Sequence, residues 1–329
     1  MLAEHNPSRY RPDLAASLNN LGIWRAALGR YAEALPALDK AVQVYQVLYD
    51  ADPDRYLRHL AQAEMNQRLS QSRVPPHVEP LPLLQAAVQR CREMAETNPD
   101  GYLPELVQAL HNLGNGYAEQ DRQAAVHHLG EALTHYRSLY SANRDLYRPH
   151  LAACLNDLGV NLAELGRWAE AVRCAEAAVE LHRRLAESSP ARYRSEFARS
   201  LDNLVFCLAT MGRHGEVLPP AEEAVELHRH LARRDPERYR PELARALTNL
   251  GVSLSALGRH AEALPAALES VGIYQDLVEI DPREYSPRLA RALRNLAVDY
   301  SGLSRFPEAD RCRQEADRIC EELRPAGAA

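Results

Sequence analysis

Arg11-Pro12-Asp13-Leu14-Ala15-Ala16-Ser17-Leu18-Asn19-Asn20-Leu21-Gly22 decides the fold, because the chain writes this stretch again and again. Leu-His-Asn-Leu-Gly stands at 110–114, Leu-Asn-Asp-Leu-Gly at 155–159 and Leu-Thr-Asn-Leu-Gly at 247–251. Looser copies are Leu-Asp-Asn-Leu-Val at 201–205 and Leu-Arg-Asn-Leu-Ala at 293–297. The shared leucine falls at 113, 158, 204, 250 and 296, spacings of 45, 46, 46 and 46. Leu21 lies two such periods before Leu113, and a degenerate copy, Ala63-Glu64-Met65-Asn66-Gln67, sits between them with its asparagine in register. A fixed period of this length is the mark of a solenoid, a single continuous stack of repeats, whatever the total length.

Composition agrees. The chain has 329 residues, 46% apolar but only 6% aromatic, so alanine and leucine must build the core. That suits closely packed helices. A net charge of −6 with both signs interspersed gives no electrostatic footprint for nucleic acid. Lys40 is the lone lysine, an arginine bias that fits a GC-rich, bacterial genome. The six cysteines form no C-x-x-C pair and read as small core residues, reduced in a cytoplasmic protein. No apolar leader and no membrane-length apolar run is present, so neither secretion nor a membrane partner is expected.

Each repeat opens on a punctuation mark. Asn6-Pro7-Ser8-Arg9-Tyr10 returns as Asp52-Pro53 to Tyr56, Asn98-Pro99 to Tyr102, Ser189-Pro190 to Tyr193, Asp235-Pro236 to Tyr239 and Asp281-Pro282 to Tyr285. One copy, Asn143 to Tyr147, lacks the proline. Asp, Asn or Ser before Pro reads as a stop followed by a helix cap. A second proline (Pro12, Pro104, Pro149, Pro241, Pro287) is where the first helix, A, is expected to start, running over 12–28 in repeat one. Its apolar face carries Leu14, Leu18, Leu21 and Leu28. Gly29-Arg30 ends it, and Gly166, Gly212 and Gly258 hold the same register. Helix B follows over 31–49, with Ala34, Leu38, Ala41, Val42, Tyr45 and Leu48 inward. Prolines 36, 82, 219 and 265 predict a shared kink or a later start to helix B. The connector tyrosines are expected to pack where one repeat meets the next. The repeats then span about 6–51, a degenerate 52–97, 98–142, 143–188, 189–234, 235–280 and 281–325 of one 1–329 domain. Repeat two replaces the turn with a proline-rich 73–82, predicting a longer loop and a shorter helix B.

With Leu18, Leu21, Gly22, Gly29, Tyr31, Ala34, Leu38 and Ala41 in this order, each unit resembles a tetratricopeptide repeat. The family unit is about 34 residues, so this version carries a longer helix pair. It is similar to the arrays of kinesin light chains and of large bacterial signalling proteins. The resemblance implies an all-α, right-handed α-solenoid superhelix of seven helix-turn-helix repeats.

No phosphate loop, dinucleotide fingerprint, zinc-protease motif or nucleophile elbow occurs, so an enzyme and a cofactor are not expected. His182 and His228 stand where other repeats carry Tyr45, Tyr136 and Tyr274, the behaviour of packing residues. His127 and His128 point about 100° apart on a helix and are not expected to share a metal ion.

The candidate site is a surface. About 200° separates Asn20 from Leu18 on helix A, so a ladder of Asn20, Asn66, Asn112, Asp157, Asn203, Asn249 and Asn295 faces away from the leucine stripe. Amides suit an extended peptide because each offers a donor and an acceptor to main-chain groups. The resemblance supports this, since peptide-binding members of the family use such asparagines. The alternative is that the amides tie neighbouring A helices together. Arg199, Arg245 and Arg291 lie four residues before Asn203, Asn249 and Asn295, on the same face, and Arg294 adds a charge. Local pairing with Glu196 and Glu242 is the bland account of those arginines. The expected function is a non-catalytic scaffold holding a protein or extended peptide, acidic where it meets repeats five to seven. The alternatives are the sensor arm of a larger protein bearing a nucleotide-binding switch or a caspase-like protease, and an array that self-associates through its ends.

Overall fold

The computed structural model describes residues 7–27, 31–71 and 80–323. The turn Gly29-Arg30, the side chain of Tyr10 and the proline-rich 73–79 lie outside the described residues. Fourteen helices and no strand make up what is described. They are α1 (Pro7–Ala27), α2 (Tyr31–Ala51), α3 (Pro53–Gln71), α4 (Pro80–Thr97), α5 (Pro99–Tyr117), α6 (Arg122–Ala142) and α7 (Arg144–Glu164). The others are α8 (Trp168–Ser188), α9 (Pro190–Thr210), α10 (His214–Arg234), α11 (Pro236–Ala256), α12 (His260–Ile280), α13 (Pro282–Gly302) and α14 (Phe306–Glu322). Odd-numbered helices are A helices and even-numbered ones B helices. The chain groups into two compact units, Met1–His135 and Tyr136–Ala329. In the first, α1 packs on α2, α2 on α3 and α4 on α5; in the second the same alternation runs from α7 to α14.

The A helices start earlier than the second proline predicts. Asp52, Asn98, Asn143, Asp235 and Asp281 cap them, each side chain accepting from backbone N–H groups in the first turn. The connector tyrosine then closes the first α-turn: Tyr102 N donates to Asn98 O at 3.2 Å and Tyr285 N to Asp281 O at 3.1 Å. The second prolines therefore lie inside the helix. A ring there removes one hydrogen bond, and near the N-terminus the orphaned carbonyl belongs to an exposed turn that the cap already holds. The connector is thus helix rather than loop. Its tyrosines 56, 102, 147, 193, 239 and 285 are all half-buried, Tyr239 and Tyr285 against the core of their unit. The prolines of the B helices also sit inside, with no delayed start, except in the short α4.

Helix A ends as its glycines require. Gly166, Gly212 and Gly258 have φ of +73°, +70° and +74°, the region that costs an L side chain its Cβ clearance. Arg167 N reaches back to Leu162 O and Gly166 N to Ala163 O, a paired closure repeated at Arg213, Arg259 and Arg305. Ser304 takes the same conformation without glycine. The arginine just after each turn grips the glutamate three residues on: Arg167–Glu170, Arg213–Glu216, Arg259–Glu262 and Arg305–Glu308. Each of these carboxyls is held below the usual range, chiefly by that hydrogen bond. In repeat three, which lacks the glycine, Asp121 caps α6 by accepting from Ala124 N.

The predicted inner face of α2 is buried at Ala34, Leu38, Ala41, Tyr45 and Leu48, with Val42 half-buried. Successive B helices are joined by a periodic pairing, Arg92–Glu131 in the first unit and Arg183–Glu223 and Arg229–Glu269 in the second. Helix α4 has 18 residues against 21 in α2, α6, α8, α10 and α12. α3 and α4 make little contact, leaving a gap lined by Met65, Leu69, Leu83, Leu84 and Met94. All six cysteines are free; Cys91, Cys154 and Cys207 are buried and the rest half-buried. Burial pushes the Cys207 thiol up to about 11, so it stays protonated and unreactive at neutral pH.

One expectation fails in α1. Leu14 and Leu21 are 38% and 41% exposed, while Ala15 and Gly22 are buried instead. The same registers are buried in nearly every other repeat, where a preceding B helix covers them. No described helix covers α1 on that side.

Candidate functional site

The ladder residues do not stand clear of the protein. Asn20 is exposed, but Asn66, Asn112, Asp157, Asn203, Asn249 and Asn295 are half-buried, and Asn66, Asn112 and Asn203 lie against the preceding A helix. Asn203 Nδ2 donates to Asn156 Oδ1 at 2.9 Å, and Asn66 Nδ2 to Asn19 Oδ1 at 3.0 Å. Asn112 Nδ2 lies 3.0 Å from Met65 Sδ. In all three the acceptor stands one residue before the preceding ladder position. The amide clasp between neighbouring A helices is therefore present in both units. Asn66 and Asn112 also accept from Gln62 and Gln108 one turn earlier.

The four arginines part company. Arg199 and Arg291 are exposed, and no ion pair among the described residues holds either one. Arg245 instead reaches back 43 residues, its Nη2 lying 2.8 Å from Asp202 Oδ2. Asp202 is buried and also accepts from His228 Nε2 at 2.8 Å. A carboxylate only accepts, so the proton in that contact is on Nε2. Arg294 occupies the register of Asp202 rather than that of Arg199. It pairs with Asp317 of α14 at 3.0 Å, away from the A-helix face. The local pairing with Glu196 and Glu242 is not what holds these arginines. The difference is measurable. Arg245→Gln leaves Asp202 short of its cation and should cost about 1–3 kcal/mol in urea unfolding. Arg199→Gln should stay within about 0.5 kcal/mol of the parent.

Asp202 and His228 belong to a series of buried polar contacts in the second unit. His182 Nδ1 lies 2.7 Å from Ser200 Oγ, and Ser200 donates to Asn156 Oδ1 at 3.3 Å. One repeat on, Thr248 and Ser270 share a hydrogen bond of 2.7 Å. Burial, and then the nearby Arg199, lower the His182 pKa to about 4. The two histidines are core residues, as their alternation with tyrosine predicts. Their polar partners, on α9, were not legible from spacing.

His127 and His128 do come together, contrary to the geometric expectation. Their rings meet edge-on at 5.1 Å, and ligand atoms of both lie within 4.8 Å of one another and of Glu131. The 100° between adjacent Cα positions is closed by side-chain rotation. Glu131, however, is held by Arg92 through both oxygens at 2.8 and 2.9 Å, and His128 stacks on Tyr117. Its pKa is lowered by burial and by His127. A metal ion here must displace that ion pair.

A feature missed in the sequence reading completes the surface. Three residues after each ladder position stands an exposed apolar side chain: Ile23 and Leu69 in the first unit, Val160, Phe206, Val252 and Val298 in the second. Repeat three has Asn115 instead. Pockets join this row to the ladder. Ile23, Asn66 and Leu69 line one, Val160, Asn203 and Phe206 another, Val252 and Asn295 a third. The pattern was available in the sequence at i+3 from each asparagine. It reads there as part of the core, since valine and leucine on a helix usually are.

Comparison with known proteins follows from this geometry. The tetratricopeptide-repeat family model matches residues 14–54, 151–190 and 243–284. No curated protein matches the sequence. Among solved structures the chain is similar to BtubC (BKLC) from P. vanneervenii, with a TM-score of 0.55 and 20% identity over 76% of this chain and 94% of that one. It is also similar to a putative kinesin light chain with nearly identical repeats from Podosopora anserina, with a TM-score of 0.50 and 18% identity over 67% and 97%. Matched repeats, helix-pair packing and glycine turns agree, and the fold is that of a tetratricopeptide-repeat solenoid of long period, with three of its repeats matching the family model.

Proposed function

We propose that this chain is a non-catalytic scaffold that holds an extended peptide or protein tail along the exposed face of its A helices, in bacterial regulation in the cytoplasm. The observation that carries the reading is the three-row surface of the second unit. Val160, Phe206, Val252 and Val298 supply one apolar contact per repeat. Asn203, Asn249 and Asn295 run beside them, and Arg199 and Arg291 flank the rows as unpaired cations. Packed helices lie about 8–10 Å apart and an extended chain rises about 3.3 Å per residue. Each repeat then meets about every third residue of the ligand. The ligand chemistry that fits is apolar at that spacing with carboxylates between, because the planar guanidinium grips a carboxylate through two hydrogen bonds. A self-associating array and a role as the sensor arm of a larger protein are compatible with the same face.

Selection of random peptides displayed on phage against the whole chain tests this. Enriched peptides should carry Asp or Glu with apolar residues three apart, and should bind more weakly as salt rises. Phe206→Asp combined with Val252→Asp should abolish capture, and Arg199→Gln with Arg291→Gln should weaken it, both without loss of helicity. Basic peptides, or acidic ones indifferent to both variants, would put the ligand elsewhere.

A further inference from the structure

Helix α6 gathers two imidazoles and a carboxylate at one place, and the repeat itself gives no reason for the imidazoles. Prolines 36, 82, 219 and 265 share one register of helix B, and repeat three sets His127 there. The next register holds Ala37, Leu83, Cys174, Pro220 and Ala266, and in repeat three His128. No other repeat puts an imidazole at either position. Helix geometry brings both to Glu131, four residues on from His127 and three from His128. One ligand atom from each of the three lies within 4.8 Å of the other two. Packing alone does not account for His128. The core histidines 182 and 228 each hold a side-chain hydrogen bond, whereas His128 Nδ1 is shut off from solvent with no partner among the described residues. Buried polar atoms ordinarily find one. The ring is nonetheless held in place: Tyr117 stacks on it at 5.5 Å with the planes 14° apart, and Gln85 donates to the Tyr117 hydroxyl.

We infer that His127, His128 and Glu131 form a site for one divalent transition-metal ion of the zinc class, with water completing its coordination. Two imidazoles with a carboxylate suit zinc, nickel or copper, whereas magnesium and calcium take oxygen ligands. Bonds of about 2.0–2.2 Å set ligand atoms on a common zinc about 3–3.5 Å apart. Rotation of the exposed His127 ring and of the Glu131 side chain closes the remaining distance. Glu131 is where the ion meets opposition. Arg92 of α4 holds both of its oxygens, and a metal cation takes the place of that guanidinium. The exchange is open because the pair is part-exposed, Arg92 at 42% and Glu131 at 28%, and such pairs add little to stability. Ion binding and the clasp between the B helices α4 and α6 are therefore alternatives.

Calorimetric titration of zinc chloride into the whole, untagged chain is the test, with variants to separate this site from the rest of the 13 histidines. One ion per chain should bind tightly. His127→Ala should weaken that binding about tenfold or more, since losing a ligand costs at least as much as losing an outer partner of one. His127 is exposed, so the variant should keep its helicity. His128→Ala should act in the same direction. Arg92→Gln should tighten binding severalfold, because Glu131 is then released before the ion arrives. His135→Ala, one turn further along α6 and outside the cluster, should leave it unchanged. No binding at millimolar zinc overturns the inference. So does binding indifferent to His127→Ala, weakened as much by His135→Ala, or not tightened by Arg92→Gln.

Discussion

Leu204→Ala should destabilise the protein by about 2–5 kcal/mol, whereas Leu21→Ala, at the same register of the repeat, should cost less than about 1 kcal/mol. Both leucines stand in the Leu-x-x-Leu core of an A helix, and sequence alone ranks them equal. Leu204 is buried at 7% exposure, between the preceding repeat and its own helix B. Removing its side chain leaves a cavity that packed helices close only in part. Leu21 keeps 41% of its surface in solvent, so truncation there removes less buried area and opens no cavity. Leu113, Leu158 and Leu296 are buried and should behave as Leu204 does. Urea unfolding of the variants, with helicity as the readout, decides the point. Equal losses for Leu21 and Leu204 would mean that α1 is covered in solution.

Lowering the pH from 7 to 4 should remove up to about 3 kcal/mol of stability through His182 alone. Burial disfavours its charged form, and its pKa in the fold is near 4 against 6.5 for a free imidazole. Between those values the unfolded chain binds a proton that the folded chain refuses. The stabilisation is therefore complete above pH 6.5 and is lost as pH falls toward 4. Arg199 deepens the effect, while Glu196 and Asp157 oppose it. His182→Tyr restores the residue that equivalent positions carry at Tyr136 and Tyr274, and removes the titrating group. Thermal melts of parent and variant across this window should diverge by about one proton's slope, about 1.4 kcal/mol per pH unit at its steepest. Parallel curves would show that His182 is charged in the fold or reached by water. The same variant serves as a check on the proposed face, because His182 lies behind it: peptide capture at neutral pH should be unchanged.

Much of the molecule could be read from residues in order. The 46-residue spacing located every A and B helix, and the Gly-Arg pairs located the turns with their positive φ. Tyrosines recurring at one register announced a junction. These features are local: a 3.6-residue period, a cap or a turn glycine acts within a few residues of itself, so its effect is written next to its cause. The helix starts were misjudged because two signals competed at one site. An Asx cap with proline at the first helical position outweighed a second proline that the opening turns of a helix can absorb.

What spacing could not rank was set between repeats. Asn203 clasps Asn156, Arg245 is drawn to Asp202, and Arg294 turns to Asp317, while Arg199 and Arg291 remain free although all four arginines lie within a turn of the same ladder. Each partner lies tens of residues away, on a helix whose rotation and offset no single repeat specifies. The exposure of Phe206, Val252 and Val298, and of Leu14, Leu21 and Trp24, has the same origin. A helix has one periodicity but several neighbours, so its sequence marks which residues share a face, and only the packing of the next helix decides whether that face becomes core, clasp or surface.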